Sequence, residues 1–150
     1  MAKYLTREGL EKFKKELGYL ENTKRREIAE RLRYTSSFGD LKENAAYHEA
    51  KEAQGFVEGR ILELKMIVAN ARVIEKKGDG VVGIGSLVIL DSLGKKEEFQ
   101  IVDPQEVDIF QGKISNESPL GKMLLGKIKG DKIILENPDG KTEYKVTDIQ

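Results

Sequence analysis

Two series of apolar residues in the first half of the chain share a helical spacing. The first lies between Thr6 and about Arg33 and recurs at three and four residues, or at eight across Lys24: Leu10, Phe13, Leu17, Leu20, Ile28 and Leu32. The second also recurs at three and four: Ala46, Ala50, Gln54, Val57, Ile61, Leu64, Val68 and Ala71. Each series therefore predicts one face of an amphipathic helix.

The two series also fit each other as facing sides of an antiparallel hairpin. Facing residues in such a hairpin have numbers with a constant sum, and five pairs share one sum: Leu10 with Val68, Leu17 with Ile61, Lys24 with Gln54, Ile28 with Ala50, and Leu32 with Ala46. The turn centre then falls near Gly39, in a YTSSFGD segment of residues that end helices. A helix of about 28 residues at about 1.5 Å per residue gives an arm on the order of 40 Å long. The sequence thus predicts an antiparallel coiled-coil hairpin, with Thr6 as the N-cap of its first helix.

Period-two alternation replaces the helical spacing after Ile74. A glycine-rich stretch, EKKGDGVVGIG, precedes four candidate strands: Leu87–Leu90, Glu98–Val102, Lys132–Leu135 and Tyr144–Ile149. The last two flank NPDG, a hairpin turn signal, while Ser118 and Pro119 have the form of an N-cap and a first helical residue. We predict an α+β protein with an arm at residues 1–76, a linker at 77–84, and a small antiparallel-sheet domain at 85–150.

Composition limits the function classes. Lys plus Arg and Asp plus Glu both number 26, so no global field marks a generic nucleic-acid binder, and any such contact must be local. The absence of Cys excludes disulfides and thiolate metal sites. No apolar leader and no run of 18 apolar residues occurs, so we expect a cytoplasmic protein without a membrane partner.

Familiar catalytic signatures are missing. The chain has no P-loop, HExxH or GxSxG motif, and its single histidine, His48, is more typical of a packed or solvated side chain than of a general base. Catalysis by this chain alone is therefore not expected.

The informative segment is the predicted tip, where Asp40 is followed three residues later by Glu43. This spacing has the form of a capping box, with Asp40 capping the second helix and Glu43 reaching back. The same two carboxylates could instead offer oxygen ligands to a Mg²⁺ ion held mainly by another molecule. Spacing alone favours the capping box over the metal-ligand interpretation.

A basic run, KRREIAERLR from Lys24 to Arg33, precedes the tip. Such a run is typical of a solvated helix face with ion pairs at one-turn spacing. It could equally line up with RNA phosphates or an acidic protein wall, and the sequence does not separate the two.

Three segments resemble the Gre family of bacterial transcript cleavage factors. They are GDLKENAAYHEAKEAQGFVEGRI at residues 39–61, ISNESPLGKMLLGKIKGD at residues 114–131, and the N-terminal TREGLEKFKKEL, so that the resemblance spans essentially the whole chain. One departure lies three residues before Gly39, where Ser36 stands in place of the Arg of many relatives.

The resemblance implies a mechanism. In this family the arm enters the secondary channel of the bacterial RNA polymerase core, and the polymerase itself cuts the backtracked RNA at its 3′ end. On matching positions, Asp40 and Glu43 are the catalytic acids that help hold a Mg²⁺ ion shared with the polymerase active site. The resemblance implies that the chain is no enzyme alone and holds no cofactor in its free state.

Further residues follow from the same resemblance. The positions expected to contact RNA or polymerase are Arg33, Lys42, Tyr47 and Lys51. The C-terminal domain, which in this family is similar in fold to FK506-binding proteins, docks at the channel entrance through Glu117, Ser118 and Pro119. We expect a monomer.

Other functions compete with this one. A protein of the same architecture could occupy the channel without promoting cleavage, as a regulator or inhibitor of polymerase. The C-terminal domain could be a prolyl isomerase, although such pockets are usually aromatic-lined and aromatic residues make up only 7% of the chain. A plain coiled-coil adaptor would not require the tip motif.

Overall fold

The computed structural model describes residues 2–40, 42–75 and 78–150. The chain divides into two compact units, one formed by Leu10–Ala71 and the other by Ala2–Gly9 together with Arg72–Gln150. The predicted boundary between arm and linker, at residues 76 and 77, lies outside the described residues.

The first unit is a helical hairpin, which confirms the predicted arm. Helix α1 spans Arg7–Tyr19, a π-helical turn spans Leu20–Lys24, α2 spans Arg25–Ser36, and the returning helix α3 spans Ala45–Asn70. Thr6 caps α1 as predicted, because its hydroxyl oxygen accepts a hydrogen bond from the Gly9 N–H at 3.0 Å.

The π-helical turn resolves a conflict in the first apolar series. Leu20, Lys24, Ile28 and Leu32 follow one another at four-residue steps, and each such step overshoots a full helical turn by about 40°. A π-helical turn holds more residues than an α-helical one and takes up part of this excess. Ile28 consequently stays in the seam, where it is 2% exposed.

The seam between the helices is apolar and is bordered by ion pairs. Buried Ile28, Val57 and Ile61 form its centre, against which Leu17, Leu20, Leu32 and Ala53 pack. Beside it, Arg60 donates two hydrogen bonds to Glu16, at 2.8 and 3.0 Å. This pair lies one residue from the predicted Leu17–Ile61 layer and supports that register.

The register is less regular near the tip. Ala50 is buried as predicted, but Ala46 is exposed, so its predicted place in the seam opposite Leu32 is wrong. The reason is that α3 begins only at Ala45, and Ala46 therefore lies in its first turn.

The second unit holds a five-stranded sheet. Its strands are β3 (Leu87–Ser92), β4 (Lys95–Val102), β5 (Lys113–Ser115), β6 (Lys132–Asn137) and β7 (Gly140–Ile149), in the order β5-β4-β3-β7-β6. Two shorter strands, β1 (Lys3–Leu5) and β2 (Ala71–Val73), form a separate two-stranded sheet. Helix α4 spans Pro119–Leu124, and Leu124 is fully buried in the core beneath the sheet.

The α+β class is confirmed, but a wholly antiparallel sheet is not. Strands β4 and β5 are parallel, with Ile101 opposite Ile114. Parallel neighbours require a crossover connection, and here it runs through short 3₁₀ turns at Pro104–Glu106 and Ile109–Gln111. The likeness to FK506-binding proteins stays a prediction.

The turn between β6 and β7 and the start of α4 lie where the sequence predicts them. Strands β6 and β7 pair up to Asn137 and Gly140, around the predicted NPDG turn. Gly140 has a φ of 131°, a conformation that side-chain-bearing residues rarely adopt. The predicted start of α4 also holds, because the Ser118 hydroxyl oxygen accepts a hydrogen bond from the Gly121 N–H at 3.1 Å.

Candidate functional site

The chain reverses direction between the end of α2 and the start of α3. Gly39 and Asp40 both lie in the left-handed region, with φ values of 72° and 36°. Glycine adopts this region without steric cost, and aspartate is among the few other residues that tolerate it. The GD pair of the tip motif is thus what allows a sharp turn at this point.

Asn44 holds the turn to both helices. Its side-chain oxygen accepts a hydrogen bond from the Tyr47 N–H at 3.0 Å and so caps α3. Its amide nitrogen donates at 2.6 Å to the carbonyl of Thr35, a buried residue in the last turn of α2. A single asparagine therefore fixes the start of one helix to the end of the other.

The capping-box interpretation of Asp40 and Glu43 is wrong, because the helix begins later and Asn44 is its cap. The backbone N–H of Glu43 donates to the Asp40 carbonyl at 3.2 Å, which closes a tight turn over these residues. Both side chains are exposed. Within residues 2–40, 42–75 and 78–150, neither carboxylate has a hydrogen-bond or ion-pair partner.

Two exposed carboxylates are too few to hold a metal ion by themselves. Mg²⁺ prefers oxygen ligands in octahedral geometry and commonly takes one or two carboxylates from a protein, with other ligands from water or phosphate. In the described part of the chain, no group of three or more Asp, Glu, His or Cys side chains could hold an ion. Asp40 and Glu43 therefore fit a Mg²⁺ ion whose other ligands come from elsewhere.

The other predicted contact residues surround this turn. Lys42 lies within it and is exposed, and its carbonyl lies 3.2 Å from the His48 Nε2 atom. Tyr47 is half-buried in the first turn of α3, with its ring edge-on to His48 at a centroid distance of 5.8 Å. Lys51 is exposed one turn later, and Arg33 is exposed in the last turn of α2.

The basic run divides into paired and unpaired residues. Lys24 lies 3.6 Å from Glu27, and Arg25 donates two hydrogen bonds to Glu58 on α3, at 2.8 and 3.0 Å. These bonds lower the pKa of the Glu58 carboxyl below its ordinary value. The other three cations, Arg26, Arg31 and Arg33, are exposed and form no ion pair with any described residue. The solvated-face interpretation thus fits the start of the run, and free positive charge lies nearer the tip.

The predicted docking residues lie in the second unit, at the start of α4. Glu117 and Pro119 are exposed. Ser118 is half-buried, and its hydroxyl donates to the Ser115 carbonyl at 2.6 Å besides capping the helix. Ser118 therefore has a structural role, whereas Glu117 and Pro119 are free to meet a partner.

Sequence reasoning missed Asn44 and an aromatic pair, Tyr34 and Phe38. Asn44 carried a usable signal, because asparagine is among the strongest N-cap residues and an apolar-periodic run begins directly after it. The aromatic residues recur at four-residue spacing, yet they lie outside the seam series. Their rings are in contact, with centroids 5.0 Å apart and planes at 86°.

Comparison with known proteins covers the whole chain. Residues 3–73 match the family model described as the transcription elongation factor N-terminal domain. Residues 76–150 match the model described as the transcription elongation factor GreA/GreB C-terminal domain. The chain belongs to the GreA/GreB family of transcription elongation factors.

Individual relatives agree with this GreA/GreB membership. Transcription elongation factor GreA of Shouchella clausii is 46% identical, over 98% of this chain and 96% of the relative. Transcription elongation factor GreA of Bacillus subtilis is 44% identical, over 97% of this chain and 94% of the relative. The crystal structure of GreA factor homolog 1 (Gfh1) of Thermus thermophilus is 30% identical, covers 100% of this chain and 99% of its own, and has a TM-score of 0.47. The identity to the two GreA relatives shows that the chain is a GreA-type transcription elongation factor.

A search for membrane spans was negative for the described part of this family member. None of the helices there is both long enough and apolar enough to cross a bilayer.

Proposed function

We propose that this elongation factor inserts its helical arm into the secondary channel of RNA polymerase in the cytoplasm and stimulates cleavage of backtracked RNA. The observation that carries the proposal is a pair of exposed carboxylates, Asp40 and Glu43, that have no partner among the residues the structure describes. They lie at a turn that Asn44 ties to both helices. Groups that the fold does not need are free to serve another molecule.

In this proposal the arm contributes two carboxylates, and the polymerase contributes the other metal ligands and the nuclease activity. Asp40 and Glu43 would be ligands to a Mg²⁺ ion that polymerase largely holds. When bound there, the ion lowers the pKa of a water molecule and offsets charge on the phosphate. The task of the two side chains is to present negative oxygen atoms on a turn whose backbone is already fixed. The nuclease is then the polymerase, and this chain is its activator.

Free cations near the tip suit an RNA partner. Lys42 lies between the two acids in sequence and Arg33 in the last turn of α2, and both are exposed. Guanidinium and ammonium groups bind phosphate through charge-assisted hydrogen bonds. We assign them to the backbone of the RNA 3′ segment, with Tyr47 and Lys51 on the adjoining turn of α3. The factor acts as a monomer in this scheme, because one arm supplies both acids.

The decisive experiment follows RNA length in a purified, backtracked polymerase complex. We expect the unmodified protein to shorten the RNA, and Asp40→Asn and Glu43→Gln each to lower the cleavage rate at least about tenfold, which corresponds to about 1.4 kcal/mol of transition-state stabilisation. Glu52→Gln is the matched control, because Glu52 is an exposed acid farther along α3. Circular dichroism should show equal helicity for all four proteins.

Two outcomes would contradict the proposal. If Asp40→Asn cleaves at the normal rate, then the carboxylate is not a metal ligand. If the unmodified protein slows elongation without shortening RNA, then it is a non-cleaving channel regulator.

A further inference from the structure

Tyr34 and Phe38 form an exposed aromatic pair next to the proposed acids. The two side chains are 68% and 65% exposed, although each belongs to an apolar or largely apolar type. Their rings meet edge to face, with planes at 86°, so that the edge of one ring lies against a face of the other. Aromatic surface exposed in this way is available to a partner with a flat apolar face.

The hydrogen bonds that join the described residues at the tip do not use either ring of the pair. Phe38 reaches the turn through its backbone, with its N–H donating to the Thr35 carbonyl at 3.3 Å, and the tie between the helices is made by Asn44. Both contacts are independent of the phenyl ring. Neither ring is therefore committed to the hydrogen bonds of the turn, and both remain available to a partner.

The position of the pair indicates what that partner is. Phe38 precedes Asp40 by two residues, so their Cα atoms are at most about 7 Å apart. If Asp40 acts at a phosphodiester, a base within a nucleotide or two of that bond comes within reach of the Phe38 ring. Exposed Arg31 and Arg33 flank Tyr34 and have no ion pair among the described residues, which adds phosphate-binding charge beside the rings.

We propose that Tyr34 and Phe38 form a stacking platform for a base of the backtracked RNA 3′ segment. The inference rests on the proposed function and adds a binding subsite to it. Aromatic side chains bind unpaired bases by stacking, and such contacts tolerate any base because every base has a π face. The platform would hold the displaced 3′ segment while the acids act on the bond beside it.

The test separates base stacking from the acid chemistry. A backtracked polymerase complex carries the fluorescent base 2-aminopurine in its displaced 3′ segment, and Asp40→Asn is the background that keeps the RNA uncut. Adding this protein should quench the fluorescence, because the base stacks on the platform. Phe38→Ala in the same background should abolish the quench, whereas Phe38→Tyr should retain it.

Cleavage provides the second readout, with Asp40 intact. Phe38→Ala should lower the cleavage rate about fivefold or more, as expected for loss of one base stack. Phe38→Leu should lower the cleavage rate to a similar extent, since leucine has no π face. Phe56→Ala is the matched control, because Phe56 is 79% exposed on α3 at about 18 Å along the helix from Asn44, and it should cleave normally.

The outcomes are distinguishable. If Phe38→Ala keeps the quench, or if Phe38→Leu cleaves normally, then the rings do not stack on RNA and the inference is overturned. If Phe38→Ala leaves quench and saturated cleavage intact but needs more protein to reach saturation, then the pair contacts polymerase and not RNA. If Asp40→Asn cleaves RNA at the normal rate, then the metal-ligand proposal fails and the quench assay loses its uncut background. The platform is then judged by cleavage alone: slower cleavage by Phe38→Ala and Phe38→Leu than by Phe56→Ala supports it, and equal rates overturn it.

Discussion

The carboxylate of Glu106 accepts two hydrogen bonds from Thr6, a residue 100 positions earlier in the chain. The Thr6 N–H lies 2.8 Å from one oxygen, and the Thr6 hydroxyl lies 2.6 Å from the other. Glu106 is 8% exposed, and at the N-terminus of α1 it also meets the positive end of the helix dipole. A buried acid is thus satisfied by an amide and a hydroxyl donor of one residue.

The first prediction concerns Gly9, which lies against this carboxylate. A Cβ atom at Gly9 would overlap the Glu106 side chain. We expect Gly9→Ala to lower the free energy of unfolding by about 1–3 kcal/mol, the usual cost of overpacking. Gly18→Ala is the matched control, since a Cβ there has no neighbour within 4 Å. In the same urea titration it should raise stability by about 0.5–1 kcal/mol through higher helix propensity, and equal effects of the two changes would contradict the packing argument.

The second prediction concerns Asn44. Replacing it by alanine removes both the α3 cap and the hydrogen bond to the Thr35 carbonyl, so we expect a loss of about 1–2 kcal/mol and fraying of the first turn of α3. Asn44→Asp should keep the α3 cap and lose only the hydrogen bond that the amide nitrogen donates to the Thr35 carbonyl. Amide hydrogen exchange at Tyr47 and His48 measures the fraying directly, and unchanged protection in Asn44→Ala would show that the cap is unimportant.

The third prediction tests the seam between the helices. Ile61 is 2% exposed and its neighbour Leu62 is 64% exposed. Ile61→Ala should cost about 2–5 kcal/mol, because it leaves a cavity between the helices. Leu62→Ala should cost under about 0.5 kcal/mol. Urea denaturation of the two variants is the check, and similar losses would mean that the seam is placed wrongly.

The fourth prediction is a pH dependence from Arg25 and Glu58. Hydrogen bonds from Arg25 hold the pKa of Glu58 below its ordinary value, so the folded state binds this proton less readily than the unfolded state. The stabilisation is therefore complete above the unfolded pKa of about 4.3 and is lost as the pH falls through the lower folded value.

The measurement is the free energy of unfolding between about pH 6 and pH 3. Arg25→Gln should flatten part of the acid-side decline, and added salt should reduce the difference, because the pair is exposed and screened. If the free energy of unfolding falls more steeply as the pH is lowered in Arg25→Gln than in the unmodified protein, then Arg25 does not lower the pKa of Glu58.

The fifth prediction concerns docking to polymerase. Glu117→Lys and Pro119→Ala should each weaken binding to the polymerase core while leaving the fold intact, because both side chains are exposed at the start of α4. Asp139→Lys makes the same charge change in the exposed turn between β6 and β7 and should bind normally. A binding titration decides, and unchanged affinity in both docking variants would reject this surface.

Contacts between residues close in sequence were predictable, and most distant ones were not. Thr6 and Ser118 were identified as caps because a cap and its helix are adjacent. Glu106 carries no sequence signal for its contact with Thr6, since the contact depends on the tertiary fold. Strand β5, at Lys113–Ser115, is too short for a period-two pattern and depends on its parallel partner.

The tip shows why spacing alone misplaced the cap. Asp40 and Asn44 have nearly equal preference for the N-cap position, and each begins a plausible helix. The choice depends on how many residues the chain needs to reverse between two packed helices. That requirement is set by the hairpin and is invisible in a short sequence window.

The bond between Thr6 and Glu106 also sets an order of events during synthesis. Residues 2–9 leave the ribosome before their partners, because the strand that pairs with β1 begins at Ala71 and the carboxylate that binds Thr6 is made later still. The arm can close on itself as soon as α3 has emerged, whereas the N-terminal segment must wait for most of the chain. Contacts of such long sequence separation form slowly. The segment of residues 2–9 is therefore made before its partners and is among the last parts of the second unit to reach its native position.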